Sequence, residues 1–145
     1  VSELNREYLL EQFELIEEYL QRARRVAALS QEEYLADPTA IDASVRQLTV
    51  LFETSHNIAK HLSSRLGWRP SRSKAETFEV LAEQGVLPPD LCQSFREASR
   101  FRNLVTYQTA MVKEALVYKI LQDHLGDFER FTALVGRWLA SVGRE

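Results

Sequence analysis

Arg96, Arg100 and Arg102 fall on adjacent turns of one predicted helix, and Arg65, Arg69, Arg72 and Lys74 crowd the loop before it. If the two groups converge in space, they form a basic rim able to hold a single RNA strand, because clustered cations track a phosphate backbone. If they stay apart, they are solvated charges on an ordinary surface. Asn103 sits beside Arg102, and the pair could grip a phosphate or a ribose. The plain alternative is that Arg102 pairs with Glu97, Glu114 or a neighbouring helix. Only His56, His61 and His124 carry an imidazole, the group whose ordinary pKa near 6.5 suits proton transfer at neutral pH. His56 and His61 are five residues apart, so they face different directions and make no i, i+4 metal pair. The single cysteine, Cys92, has no disulfide partner and no companion ligand, and reads as a small buried hydrophobe. No metal and no organic cofactor are expected.

The chain that must position these groups has 145 residues, 45% of them hydrophobic, enough for one continuous core. We therefore expect a single helical domain over residues 1–145. A net charge of −3 argues against a general nucleic-acid binder, so any RNA contact must come from a local patch, and no DNA partner is expected. No window approaches the roughly 18 apolar residues of a membrane span. The polar, acidic start Ser2-Glu3-Leu4-Asn5-Arg6-Glu7 does not read as a signal peptide, and a cytoplasmic location is expected.

Helical periodicity runs through most of the sequence. Leu9, Phe13, Ile16, Leu20, Ala23 and Ala27 recur at steps of three and four, predicting a long helix from Ser2 to Leu29. Tyr8, Leu15, Tyr19 and Val26 widen its stripe, so it should pack on more than one neighbour. Ser30 and Glu33 have capping-box spacing and open a short turn that ends near Pro38. Pro38 starts a second long helix striped by Ile41, Val45, Leu48, Phe52, Ser55, Ala59, Leu62 and Leu66, and Gly67 ends it. Ser73 and Glu76 repeat the capping spacing and open a short helix ending at Gly85. The next helix runs from Pro89 to Asn103 or Leu104, with Leu91, Phe95, Ala98 and Phe101 or Arg102 facing inward. The β-branched and aromatic run Leu104 to Met111 reads as a bend. A last pair of helices is expected over Val112–His124 and Asp127–Val142. The charges Glu14, Glu17, Glu18, Arg22, Arg24 and Arg25 read as intrahelical pairs on a wet face. Trp68 and Trp138 read as packing residues. The fold class is all-α, an antiparallel bundle of four to six helices, two long at the N-terminus and three to four shorter ones after them.

Five words occur in a particular order: Ser73-Lys74-Ala75-Glu76-Thr77-Phe78-Glu79-Val80-Leu81, Gly85-Val86-Leu87-Pro88-Pro89-Asp90-Leu91, Phe101-Arg102-Asn103, Val117-Tyr118-Lys119-Ile120-Leu121, and Leu125-Gly126-Asp127-Phe128-Glu129-Arg130-Phe131. Together they resemble the HepT-like branch of the HEPN superfamily, and the two long N-terminal helices fit that architecture. The resemblance implies metal-independent RNA cleavage by a homodimer, the toxin of a toxin–antitoxin pair. It also implies a nucleotidyltransferase (MNT-type) antitoxin that places AMP on a tyrosine. In the family's motif an arginine is followed by four to six residues and a histidine, with a tyrosine two positions on. The guanidinium steadies charge on phosphate oxygens, and the imidazole moves the proton of a ribose 2′-hydroxyl.

Laid on this motif without gaps, Arg102 takes the arginine position and Asn103 the polar position beside it. Tyr107 then takes the histidine position and Thr109 the position of the modified tyrosine. A one-residue gap puts Thr106 at the histidine position instead. No histidine follows Arg102 within six residues in either register. Tyrosine, with an ordinary pKa near 10, is a poor base at neutral pH, so the resemblance implies a weakened or inactive ribonuclease. His56, on a neighbouring helix, could approach Arg102 and stand in for the absent imidazole. The alternative is a non-catalytic HEPN module that binds a nucleotidyltransferase, a nucleotide or RNA through the same cleft.

Overall fold

The computed structural model describes residues 3–107 and 113–142. Among them the chain forms α1 (Arg6–Ala27), α2 (Gln31–Leu35), α3 (Pro38–Arg65), α4 (Lys74–Glu83), α5 (Pro89–Tyr107), α6 (Glu114–Asp123) and α7 (Leu125–Val142). The helix ends follow local chemistry. Asn5 caps α1 by accepting from Tyr8 N at 3.0 Å, and Ser30 with Glu33 closes a reciprocal box at α2. At α4 only half of the expected box forms. Ser73 caps Glu76 N, but the Glu76 carboxylate accepts from Arg72 N rather than Ser73 N. Gly67 and Gly85 take φ of 69° and 78°. In each case the next residue's N–H bonds back to the helix, Trp68 to Ser63 O and Val86 to Leu81 O, which satisfies carbonyls that the helix leaves open.

α3 is the axis of the bundle, touching every other helix. Its buried face is therefore much wider than the predicted stripe and includes Ser44, Gln47 and Thr54 beside the predicted Ser55. Hydroxyls survive there because they find partners: Ser44 Oγ donates to Ile41 O at 2.7 Å and meets the Tyr34 hydroxyl, and Ser55 Oγ donates to Leu51 O at 2.8 Å. The wide stripe of α1 is consumed inside the chain by α3, α6 and α7, leaving Leu10 as its exposed large apolar residue. Arg22 pairs with Glu18 within α1, whereas Arg24 reaches Glu129 on α7, so only part of that charged face is intrahelical. Trp68 and Trp138 pack edge to face at 5.6 Å. Cys92 is buried.

Two expected boundaries differ. Leu104 to Tyr107 continues α5 as helix instead of bending away. A per-residue propensity penalty of a few tenths of a kcal/mol does not stop a helix whose preceding turns are anchored in a core. α7 begins at Leu125, so Gly126 lies in its first turn rather than before it. Burial of Leu125 pulls that turn into register. Among the described residues no helix is long and apolar enough to cross a membrane.

Candidate functional site

The inward register of α5 runs through Leu91, Phe95 and Ser99, all buried, and one turn later through Arg102. A guanidinium is thus delivered where the helix would otherwise place an apolar side chain. It meets α3: Arg102 Nε donates to Glu53 Oε1 at 2.5 Å. Lys74, the first residue of α4, donates to the same carboxylate at 2.6 and 2.9 Å. Arg102 is 23% exposed and Glu53 30%. Burial opposes ionisation of Glu53, but the hydrogen bonds from Lys74 and Arg102 more than offset it and hold the carboxyl below its ordinary range. Two cations share one carboxylate, so a net positive charge remains at this junction of three helices. The expected partners Glu97 and Glu114 are not used; the neighbouring-helix alternative holds, through Glu53. Asn103 is exposed beside Arg102. Tyr107 ends α5, about 7.5 Å further along the axis at 1.5 Å per residue. Thr109 and the rest of the Leu104–Met111 stretch beyond Tyr107 lie outside the described residues, as does the start of the helix predicted from Val112.

The basic rim does not assemble as one strip. Arg96 turns to Glu79 at 2.5 Å, and Arg69 is clamped by Glu76 and Glu83 at 2.6 and 2.7 Å. Arg65 donates to the backbone carbonyl of Glu3. The two groups meet only at Glu53. Arg100 lies two residues before Arg102, roughly 160° away around the helix. It is exposed and has no ion-pair partner among the described residues.

The histidines occupy three different settings. His56 lies one turn beyond Glu53 on α3, with Nε2 3.4 Å from the Thr77 hydroxyl and its ring against Phe78. Burial, then the nearby Lys74, lowers its pKa from 6.5 to about 4, with Lys60 and Arg102 adding to the effect and Glu53 opposing it. It is near the site arginine but is a weak base. His61 is used at the other end of the bundle, where Nε2 accepts from Asn5 N at 3.0 Å. His124 caps α6 and pairs with Asp127.

His56 makes stability depend on pH in a defined direction. Its folded pKa lies below the unfolded value of 6.5, so the unfolded chain binds the extra proton between about 4 and 6.5. Stability is therefore full above 6.5 and is lost as pH falls towards 4. The whole shift corresponds to roughly 3 kcal/mol; partial exposure reduces this to about 1–2 kcal/mol. Urea unfolding at pH 7 and 4.5 should show that loss in the parent and a smaller one in His56→Gln. Equal losses in both would remove His56 from the account.

Between α3, α5, α6 and α7 lies a cleft of about 540 Å³, floored by Phe52, Phe95, Phe101 and Phe128, with Arg100 and Arg102 among its lining residues. That volume falls within the range of small-ligand sites. The sequence reading missed Glu53, whose role depends on a contact 49 residues distant in the chain.

Comparison with known proteins agrees with this architecture. The mRNA nuclease HepT of Shewanella oneidensis is 22% identical over 103 residues, covering 71% of this chain and 77% of that protein. A solved structure of a tri-AMPylated HEPN toxin from the same organism in complex with MNT antitoxin superposes with a TM-score of 0.83 at 20% identity, over 90% of this chain and 97% of that one. YutE, a cytosolic protein of unknown function from Bacillus subtilis, reaches 0.85 at 12% identity, over 97% and 94% of the two chains. The family model for ribonuclease HepT-like proteins matches residues 16–135, which takes in all of α3 to α6 and most of α1 and α7. On that match, the chain belongs to the HepT-like ribonuclease family.

Proposed function

We propose that the protein is a HepT-type RNA-binding toxin scaffold whose motif-based cleavage is weakened by Tyr107 at the histidine position. Arg102 is the phosphate clamp, Asn103 the supporting polar group and Tyr107 a poor acid/base. Arg100 contributes from an exposed position, and Arg96 by exchanging Glu79 for a phosphate. The observation that carries this reading is the Lys74–Glu53–Arg102 cluster, which fixes the motif arginine and leaves positive charge beside it. The protein works in the cytoplasm as a homodimer, with an MNT-type nucleotidyltransferase as its antitoxin. Thr109 stands where that antitoxin would modify a tyrosine, and its hydroxyl is not a phenol. The reading as a non-catalytic module is favoured by one observation, the absence of any histidine within six residues after Arg102.

The test is binding of a labelled RNA oligonucleotide in EDTA. Arg102→Ala should weaken affinity roughly tenfold to a hundredfold, the loss of one charged hydrogen-bonding contact. Thermal melts of the same samples separate lost contact from lost fold. Unchanged affinity in a folded Arg102→Ala protein would refute the clamp.

A further inference from the structure

His124 is the histidine that lines the same cleft as Arg102. It sits at the junction of α6 and α7, where its Nδ1 lies 2.9 Å from Asp127 Oδ2. An ionised carboxylate only accepts, so this contact places the proton on Nδ1 and leaves Nε2 as the basic nitrogen. A carboxylate in that position also stabilises the imidazolium once Nε2 takes a proton. The side chain is 40% exposed, open enough to reach a ligand. The other two histidines are committed elsewhere: His56 to the Thr77–Phe78 pocket, His61 to the start of α1.

Three cations and two carboxylates line part of an otherwise largely apolar cleft. From α5 the cleft receives Glu97, Arg100 and Arg102, from α6 Lys119 and from α7 Asp127, while α3 contributes Leu48, Thr49 and Phe52. Among the described residues neither Arg100 nor Lys119 is tied to a carboxylate, unlike Arg69, Lys74, Arg96, Arg102 and Arg130. Of the phenylalanines lining the cleft, Phe52, Phe95 and Phe128 are buried in the core, and the part-exposed Phe101 offers a base a stacking surface.

We propose that His124, oriented by Asp127, is the catalytic base for residual RNA cleavage in this chain, with Arg100 and Lys119 adding to the Arg102 clamp on the scissile phosphate. The proposal rests on the reading of the protein as a HepT-type scaffold. Nε2 takes the proton of a ribose 2′-hydroxyl as its oxygen bonds to phosphorus and the bond from phosphorus to the 5′-oxygen breaks. The imidazolium returns that proton to the leaving 5′-oxygen, directly or through one water. The products are a 2′,3′-cyclic phosphate and a 5′-hydroxyl, and the histidine ends neutral as it began.

The experiment measures cleavage of an RNA oligonucleotide in EDTA under single-turnover conditions, across pH 5 to 9. It uses the parent, His124→Gln, Asp127→Asn, Tyr107→His and the Tyr107→His/His124→Gln double variant. His124→Gln should lower the parent's rate at least a hundredfold and flatten the acid limb of its pH profile. Asp127→Asn should lower the rate at saturating RNA without changing the RNA concentration that gives half-maximal rate. The double variant should keep the activity of Tyr107→His, showing that the fold is intact and that the two imidazoles act independently. Parent-like cleavage by His124→Gln overturns the proposal. So does a parent with no cleavage beside an active Tyr107→His, which leaves the HepT-type reading standing. Absence of both cleavage and RNA binding in the parent and in Tyr107→His removes both.

Discussion

Replacing Tyr107 with histidine is expected to raise RNA cleavage in EDTA by about 10²–10⁴-fold over the parent, the usual contribution of a positioned acid–base group. At pH 7 a phenol of pKa near 10 is ionised only about once in a thousand molecules, whereas an imidazole near 6.5 is divided between its two forms. The substitution changes the group and leaves the frame, because α5 is helical through position 107 and Arg102 is already fixed by Glu53. An Arg102→Ala change made on top of Tyr107→His should take the activity back down. The new imidazole would then act without the guanidinium that steadies charge on the phosphate oxygens. EDTA in the buffer keeps adventitious metal from imitating the gain. A Tyr107→His protein that melts like the parent and cleaves no faster would show that position 107 is not where the chemistry takes place. The ungapped alignment that put it there would then be wrong.

How much of this was legible in the sequence varies with the range of the interaction. Helix ends depend on neighbours within a turn, and Asn5 aside they were plain: Ser30, Pro38, Gly67, Ser73 and Gly85 each stand at a boundary. The inward position of Arg102 was also readable, as the continuation of Leu91 and Phe95 at helical spacing. Its partner was not. Periodicity says that α3 and α5 each have an inner face, but not which turn of one meets which turn of the other. Glu53, lying between the buried Phe52 and Thr54, carries no local mark of its role. The same limit hid the width of α3's buried face. Ser44, Gln47 and Thr54 look solvent-facing until the helix is seen to be surrounded. Gln47 Oε1 remains buried without a hydrogen-bond partner among the described residues. The His124–Asp127 pair is local, at i, i+3 spacing. It could have been found by asking which histidine has a carboxylate one turn away, a search the motif-led reading passed over.

Phe78→Ala is expected to cost about 3–5 kcal/mol, the range for removing a fully buried aromatic. Phe78 is fully buried and stacks on Phe95 of α5 at 4.2 Å with the rings nearly parallel. It also meets Phe131 of α7 at 5.8 Å and Phe52 of α3 at 5.9 Å. One side chain therefore ties α4, which carries Lys74, to α3 and α5, which carry Glu53 and Arg102, and to α7 as well. Its neighbours are themselves rigid rings on separate helices, so the space cannot close by a rotamer change, which argues for the upper part of the range. Domains of this size have total stabilities of about 5–15 kcal/mol, so the variant should unfold at a much lower urea concentration, and Phe78→Leu should lie between it and the parent. Far-ultraviolet circular dichroism follows the helices, and fluorescence of Trp68 and Trp138, packed on each other elsewhere in the bundle, gives an independent signal. Coincidence of the two transitions would show that the aromatic joint belongs to the same cooperative unit as the rest. A loss below about 1 kcal/mol would mean that the surrounding rings relax into the space. The Phe78 cluster would then not be what holds α4 and α5 in the register that presents Arg102.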